Sequence, residues 1–495
     1  MLEQKSTRSY LAFDLGAESG RAIVGTFRDG SLTTREIHRF ANEPVQYGAS
    51  LHWDVARLWW EMRKALAMLR GQELAGIGVD AWGVDYALLG EQGELLQNPY
   101  HYRDRRTQGV MEEVFRTVSR EEIYSITGIQ FMGINTLFQL RAAARDTPEL
   151  LKAAKTLLTI PDLFHYWLSG RAACEFTNAT TTQLVDIRSR MWAKDLADRL
   201  DLPEHLWAEI VEPGTILGAL QTSVAHDYGL DETPVIAPAA HDTGSAVAAI
   251  SARDGTAFIS SGTWSLVGTE VDTPVVSPEA LRMNFTNEGG VCGTTRLLKN
   301  VMGLWMLQCC QRVWATQERP IEVSALMEQA ATAEPFRCLV DPDHASFLRP
   351  ADMAEAIDEF CVRTEQPVAK SAGAYTRAIL ESLALKYRVV LANLEKLTGQ
   401  RIVRLRIIGG GSKNRLLNQL TADATGRKVL AGPAEATALG NLAMQLLATG
   451  AVASLQAVRD LIERSYPAEV FEPHNTEKWE RHAQRFEQYC EAIYA

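Results

Sequence analysis

DGTAFISSGTWSLVGTE, residues 254–270, is an apolar run, a turn of small residues, and a second apolar run ending in V-G-T. The same plan occurs near the start of the chain. SYLAFDLG (9–16) and SGRAIVGTF (19–27) are two apolar runs joined by a small-residue turn, and IVGTF matches LVGTE. One copy near the start of each half predicts two domains of related plan. Length points the same way: the chain has 495 residues, and single cores stop growing near ~250–300. The expected domains are 1–245 and 246–495.

Around these two stretches, short apolar runs alternate with amphipathic segments, the pattern of α/β domains. LAGIGVDAWGVDYALLG (74–90) reads as strand, loop and strand. Residues 105–230 read as mostly helical: EEIYSITG (121–128), NTLFQLRAAARD (135–146) and PDLFHYWLSG (161–170) carry helical spacing and end in Gly or a polar break. In the second half a long helix is expected over about 371–398, closed by Gly399. The strand RIVRLRIIGGG (401–411) follows, then a helix with Ser412 as its N-cap.

Composition narrows the partners. The formal net charge of −11 disfavours nucleic acid and anionic membrane surfaces. MLEQKSTRSY has no apolar h-region, and no uncharged apolar run reaches the ~18 residues a membrane helix needs. The seven cysteines (174, 292, 309, 310, 338, 361, 490) form no C-x-x-C pair. They read as reduced thiols, and the expected location is the cytoplasm.

Several common site motifs are missing. There is no G-x-x-x-x-G-K-[ST], no G-x-G-x-x-G after a strand, no H-E-x-x-H and no G-x-S-x-G. FDLGAESGR (13–21) instead ends a strand in an acid and turns through small residues. Such a turn offers backbone N–H groups to phosphate oxygens, with Ser19 and Arg21 adding side chains. Asp14 at the strand end suits Mg²⁺ held through water. By itself the segment reads first as an ordinary hairpin turn, and so does SSGTWS (260–265), where Thr263 and its neighbours can meet a phosphate; the two together, in corresponding places of the two halves, are a less accidental pair. In IIGGGSKN (407–414), glycines let a flat ligand approach the backbone; one glycine would suffice for a plain turn.

VDAWGVDYALL (79–89) sets Asp80, Trp82, Gly83 and Asp85 in an apolar segment, which suits a sugar or a hairpin with turn aspartates. YRDRRT (102–107) reads by default as a solvated patch. In LKNVMGLWMLQCCQRVW (298–314), Leu298, Met302, Trp305, Cys309 and Val313 repeat at helical spacing and are expected to form a core face. Asn300 and Gln308 would then lie two turns apart on that helix, ~12 Å along its axis. VIAPAAHDTGSAVAAI (235–250) holds one formal charge, Asp242, at the head of a helix-like run. Two readings stand: an N-cap acid, or a catalytic base kept ionised by the helix N-terminus.

Taken in order, DLGAESGR, DAWGVD, HDTGSA, SSGTWS, IIGGGSKN and GPAEATALGN (432–441) resemble the FGGY family of carbohydrate kinases. The resemblance spans roughly residues 8–475. It implies an α/β fold of two actin-like ATPase (ribonuclease-H-like) domains with a central cleft for ATP and sugar. The stretches REIHRF, YRDRRT, GIQF, FTNATTTQLV, NFTNEGG and LKNVMGLW further imply L-rhamnulose as acceptor, phosphorylated at its 1-hydroxyl to L-rhamnulose 1-phosphate in L-rhamnose catabolism. On the family pattern Asp242 is the catalytic base. Gly83, His241, Thr243 and Asn300 bind substrate. Ala17, Glu18, Ser19, Gly20, Arg21, Thr263, Gln308 and Gly410 bind nucleotide. Asp14 holds Mg²⁺ through water. Glu18 departs from the serine expected there and would repel a triphosphate unless it points away or serves the metal. No disulfide is expected, and the protein would act as a monomer or homodimer. The rival readings are a kinase for another ketose, L-fuculose or D-xylulose, and a non-catalytic actin-like nucleotide- or sugar-binding protein.

Overall fold

The computed structural model describes residues 7–317, 321–348 and 350–491; residues 1–6 of MLEQKSTRSY lie outside it. The chain forms two compact units and does not pass between them at a single point. The first takes the residues up to Ser251, then Glu270–Leu297 and Ala436–Tyr466. The second takes Ala252–Thr269, Leu298–Glu435 and the chain from Pro467 onward. The expected division at 245/246 lies near the first crossing; two later segments return to the first unit.

The first unit is built on a sheet of β1 (Arg8–Leu15), β2 (Ser19–Arg28), β3 (Ser31–Ala41), β4 (Gly76–Ala81), β5 (Thr215–Ala219) and β6 (Pro234–Ala237). Their order is β5-β6-β4-β1-β2-β3. β1 and β2 form the hairpin expected from the sequence, with Asp14 opposite Arg21. β1 runs parallel to β4 with Asp14 beside Asp80, and β4 runs parallel to β6. Tyr10–Leu15 are all buried, as a strand covered on both faces requires. The helix α1 (Val55–Met68) is N-capped by Asp54, which accepts from Arg57 N at 3.0 Å. It buries Val55, Leu58, Met62, Ala65 and Leu66, a stripe at helical spacing. The three amphipathic stretches form helices Arg120–Thr127, Thr136–Asp146 and α2 (Ile160–Ser169), the first and last closed by Gly128 and Gly170. After β6 comes the short helix α3 (Asp242–Ala248).

The second unit repeats the wiring. Its central sheet contains β7 (Thr256–Ser261), β8 (Trp264–Val271), β9 (Thr295–Met302), β10 (Arg404–Ile408), β11 (Lys428–Ala431) and β12 (Glu469–Phe471), in the order β9-β8-β7-β10-β11-β12. β7 and β8 are a hairpin. β7 runs parallel to β10, and β10 to β11. Each unit therefore has a hairpin whose first strand continues into a parallel sheet, and the repeated V-G-T stretch is the second strand of each hairpin. The long helix α4 (Ala372–Thr398) has Ser371 as N-cap and Gly399 as its left-handed terminator.

Two local expectations are corrected. Residues 298–314 are not one helix: β9 runs to Met302 and a helix begins only at Trp305. Its buried residues include Met306, Leu307 and Cys310, whereas Trp305 and Cys309 are half-buried. Five apolar residues at helical spacing hid a strand, because short apolar runs fit both periods. The helix after the triple glycine, α5 (Arg415–Thr425), is capped by Asn414, which accepts from Leu417 N at 3.0 Å. Ser412 lies in an intervening 3₁₀ turn, Gly410–Lys413, and donates back to Gly409 O at 2.8 Å.

The returning segment supplies α6 (Ala436–Ala448) and α7 (Leu455–Ser465) to the first unit. Among the described residues, no helix is long and apolar enough to cross a membrane. The seven cysteines are free thiols.

Candidate active site

Three aspartates gather where β1, β4 and β6 end. Asp14 closes β1, Asp80 lies beside it on β4, and the loop after β6 leads into Asp242. Ala81 N donates to Ala240 O at 2.9 Å, which joins that loop to the end of β4. Open α/β sheets bind ligands outside the carboxyl ends of their strands.

Asp80 is 0 % exposed. Its Oδ2 accepts from Asn441 Nδ2 of α6 at 2.7 Å, while its Oδ1 has no hydrogen-bond partner. Burial first, and then the Asp14 charge, push its pKa well above the carboxylate range; the Asn441 hydrogen bond opposes them and the Asp242 charge adds to the rise. Arg21 from β2 donates to Asp14 Oδ2.

Asp242 is the first residue of α3, and His241 occupies the N-cap position. The N-cap reading is therefore corrected. So is the expectation that the helix end keeps the acid weakly basic. The Asp242 side chain keeps 30 % of its surface open, yet loss of solvation raises its pKa, opposed by His241 and reinforced by Asp14. A helix of one to two turns has too small a dipole to outweigh this. Oδ1 accepts from Thr243 N at 2.5 Å and from Thr243 Oγ1 at 3.2 Å, so Thr243 orients the carboxylate. His241 Nε2 stands 3.4 Å from the same oxygen. On its far side His241 Nδ1 is 3.2 Å from both Glu288 Oε2 and Arg296 Nη2. Arg296 is wholly buried and donates to Gly289 O at 2.8 Å. Burial lowers its pKa, with Glu288 the leading opposing charge.

Behind this loop sits a buried network. Glu175 accepts from Thr177 N (2.9 Å), Thr177 Oγ1 (2.6 Å), Asn178 N (3.2 Å) and Ala240 N (2.9 Å). Thr177 Oγ1 accepts in turn from His241 N at 3.1 Å. Burial raises the Glu175 pKa to about 8, against those hydrogen bonds. Asn178 reaches both Trp82 O (3.3 Å) and Ala240 O (3.4 Å), so the Gly83 loop and the His241–Asp242 loop share a support. Val84 N donates to Thr181 Oγ1 at 2.9 Å, and a Cβ on Gly83 would press on Thr181 at 3.0 Å.

Asp85 fixes the other side of the Gly83 loop. It accepts from Trp53 Nε1 (2.5 Å), Trp82 Nε1 (3.0 Å), Tyr102 N (3.2 Å) and Gln139 Nε2 (2.8 Å). Burial raises its pKa to about 6. YRDRRT is thereby not a solvated patch. Tyr102 and Asp104 are buried, Asp104 Oδ2 accepts from Leu51 N at 2.7 Å, and Arg106 lies 3.8 Å over the Tyr100 ring.

The turn between β1 and β2 holds Gly16, Ala17 and Glu18, and Ser19 opens β2. Gly16 N donates to Ser19 O at 2.9 Å. Asn42 clamps the turn, donating to Gly16 O from its side chain (2.9 Å) and to Glu18 O from its backbone (3.0 Å). Gly20 faces the Phe40 ring with no room for a Cβ. Glu18 is exposed.

In the second unit, Thr263 lies in the β7–β8 turn. Its carbonyl accepts from Gly303 N (3.2 Å) and Trp305 N (3.1 Å), and Gly262 O accepts from Leu304 N (3.0 Å). The turn thus rests on the strand-to-helix corner that carries Asn300 at the end of β9 and Gln308 on the following helix. Gln308 Oε1 is buried with no hydrogen-bond partner. On the triple-glycine loop, Gly409 has φ +79 and Gly411 is pressed on Ser261, whereas Gly410 has nothing within 4 Å of where a Cβ would stand. Gly410 therefore presents open backbone. Asp14, Gly83, His241, Asp242 and Thr243 belong to the first unit with the 17–21 turn; Thr263, Asn300, Gln308 and Gly410 belong to the second.

Asn42, Glu175, Asn178, Glu288, Arg296 and Asn441 carry the supporting contacts; Asn178, Glu288 and Asn441 fall in stretches that carry the family resemblance, but the sequence assigns none of the six a site role. Asn441 alone has a local signal, a polar side chain inside the apolar stretch ATALGNLAMQLLA.

Comparison with known proteins agrees with this layout. Residues 9–249 match the N-terminal domain of the FGGY family of carbohydrate kinases, and residues 257–449 match its C-terminal domain. The chain is 45 % identical to a rhamnulokinase of Bacteroides thetaiotaomicron, over 96 % of this chain and 97 % of that protein. It is 43 % identical to a rhamnulokinase of Pectobacterium atrosepticum, over 97 % and 96 %. A xylulose kinase structure from Lactobacillus acidophilus superposes with a TM-score of 0.82 over 99 % of both chains at 17 % identity, a likeness of fold alone. With both domains matched in order and near-full-length relatives above 40 % identity, the chain belongs to the FGGY family of carbohydrate kinases.

Proposed function

We propose that this carbohydrate kinase transfers the γ-phosphoryl group of ATP to the 1-hydroxyl of L-rhamnulose, giving L-rhamnulose 1-phosphate and ADP in L-rhamnose catabolism. The observation that carries the acceptor is the 45 % identity to a rhamnulokinase over nearly the whole of both chains. Asp242 is the base. It takes the proton of the 1-hydroxyl as the new O–P bond forms and the bond from the γ-phosphorus to the bridging oxygen breaks. A raised pKa makes it a better proton acceptor than a solvated aspartate, and the loose transition state asks for that proton only late. Thr243 holds the accepting oxygen's partner in place, and Gly83, His241, Thr243 and Asn300 bind the sugar.

Ala17 through Arg21, with Thr263, Gln308 and Gly410, bind the nucleotide. The lone Gln308 Oε1 and the open face of Gly410 support those two assignments. On this reading residues 1–245 carry the sugar site and the first phosphate turn, and 246–495 the nucleotide site.

Mg²⁺ fits the carboxylates present. Among the described residues no group of three or more His, Cys, Asp or Glu can hold a metal directly, but Asp14 and the lone Oδ1 of Asp80 suit a hydrated ion that takes few protein ligands. Asp14 would hold it through water. Bound with ATP, it supplies charge neutralisation on the phosphates. We take the enzyme to be cytoplasmic, a reading the free thiols support, and to act as a monomer or homodimer.

The test is ADP release from purified enzyme across a ketose panel. L-rhamnulose is expected to give the highest kcat/KM. Equal or better values with L-fuculose or D-xylulose would overturn the acceptor assignment.

A further inference from the structure

Asp80 is the strongest unexplained group in the first unit. Its Oδ2 is committed to Asn441 Nδ2 at 2.7 Å. The orientation of that amide is fixed, because Gln445 Nε2 donates to Asn441 Oδ1 at 2.7 Å and to Leu11 O at 3.0 Å. Asn441 can therefore offer Asp80 only its N–H. The side chain is 0 % exposed, and Oδ1 has no hydrogen-bond partner. Buried polar oxygens are rarely left this way. Register sets Asp80 beside Asp14 on the adjacent parallel strand, so both side chains share a face of the sheet. Gly78 on the same face has Asn441 Oδ1 only 2.7 Å from its would-be Cβ, so a glycine there is what admits the amide that positions Asp80.

Charge points the same way. Asp14, Asp80 and Asp242 are close enough to influence one another, and Arg21 is the cation among them. A hydrated divalent ion among these acids would favour the ionised form of Asp80, and its waters would bring hydrogen-bond donors.

We infer that Asp80 is a second anchor for the hydrated divalent cation that accompanies the nucleotide, its Oδ1 accepting from the cation's water shell beside Asp14. This rests on the reading of ATP with Mg²⁺ as phosphoryl donor. Asn441 and Gln445 act as positioning residues for it.

Mn²⁺ serves as the probe. Its affinity for the enzyme–ADP complex is read by electron paramagnetic resonance for the wild type and Asp80→Asn, alongside ADP affinity without metal. Removing an outer-shell partner of a metal costs about 10–100-fold in affinity. Asp80→Asn is expected to weaken Mn²⁺ at least about tenfold and leave metal-free ADP binding unchanged. Unchanged Mn²⁺ affinity overturns the inference. A wild-type crystal structure with Mn²⁺ and ADP decides independently, even if the variant fails to fold. A metal-bound water within ~3 Å of Asp80 Oδ1 is expected, and a water shell that reaches Asp14 without touching Asp80 overturns the assignment. A wild-type protein that binds no Mn²⁺ with nucleotide overturns the donor reading itself, and this inference with it.

Discussion

Gly440 of α6 rests against the backbone of Ser245 in α3 so closely that a Cβ would overlap the Ser245 carbonyl. The next residue, Asn441, reaches Asp80 at 2.7 Å, 361 positions away in sequence. One helix thus seats the helix headed by Asp242 and holds the aspartate at the end of β4. Ser245 Oγ donates to Ala239 O at 2.7 Å, so any shift of α3 carries the His241–Asp242 loop with it. Gly440→Ala must push the two helices apart against backbone, which does not yield as a side chain does. Overpacking of this kind costs about 1–3 kcal/mol or more. The variant is expected to melt several degrees lower and lose kcat; wild-type Tm and kcat together would contradict the close crossing.

On the proposed role of Asp242 as base, Asp242→Asn removes the proton acceptor and keeps the shape. Loss of a general base lowers turnover by about 10²–10⁴-fold. The fold and nucleotide binding are expected to persist, read by circular dichroism and by ADP titration. On the same proposal, wild-type activity is expected to fall as pH drops through the Asp242 pKa, because only the ionised form accepts a proton. Burial and Asp14 raise that pKa, so the acidic limb of kcat/KM lies above the ordinary aspartate value of about 3.9. An Asn variant with near-wild-type turnover would remove Asp242 from the role.

Glu175 couples stability to pH. Its pKa is about 8 in the folded protein and near ~4.3 when unfolded. Between those values the folded state keeps a proton that the unfolded state has lost. Stability is therefore fully present below the lower value and declines as pH rises toward 8, at about 1.4 kcal/mol per pH unit while only the unfolded form is ionised. Glu175→Gln abolishes this group's share, so its Tm should fall less steeply with pH between about 5 and 8 than that of the wild type. It should also be less stable at low pH, because one face of the amide meets donors from Thr177, Asn178 or Ala240, and an unsatisfied buried donor costs about 1–3 kcal/mol. Parallel Tm–pH curves would show that Glu175 does not titrate in this window.

What was legible in the sequence was local. The two hairpins declared themselves because apolar strands and small-residue turns are read within a dozen residues, and their repetition gave the fold. Asp242 stood out as the one acid in an apolar run. Its basicity did not, because the helix-end effect inferred from sequence is outweighed by burial and by Asp14, which lies 228 positions earlier in the chain. The 298–314 segment misled because its apolar spacing fits a helix while its first part pairs in a sheet. Asn441, Glu175 and Arg296 were illegible for a different reason. Each matters through a contact made across a long stretch of chain, and no spacing rule encodes such a contact.

Arg296 illustrates the energetic side of that long-range layer. It is fully buried between Glu288, His241 and the Gly289 carbonyl. Removing one partner of a buried ion pair costs about 3–5 kcal/mol, since the other charge stays behind. Arg296→Met is expected to destabilise the protein by about that amount in urea unfolding, with Arg296→Met/Glu288→Gln recovering part of the loss. A single variant within experimental error of the wild type would mean that Glu288 is satisfied without Arg296.

Gly410 separates ligand contact from folding. Its neighbours Gly409 and Gly411 are held by backbone conformation and by Ser261, so they are glycine for structural reasons. Gly410 has a negative φ and open space where a side chain would go, so the fold alone does not require glycine there. Gly410→Val should therefore leave Tm within the range of a neutral surface change, about ±0.5 kcal/mol. If the nucleotide lies on that face, the added methyl groups meet it, and the KM for ATP should rise at least about tenfold with the KM for ketose little changed. A valine variant that keeps both its stability and its ATP KM would move the nucleotide off Gly410, and a variant that loses stability would show that the space is filled by protein.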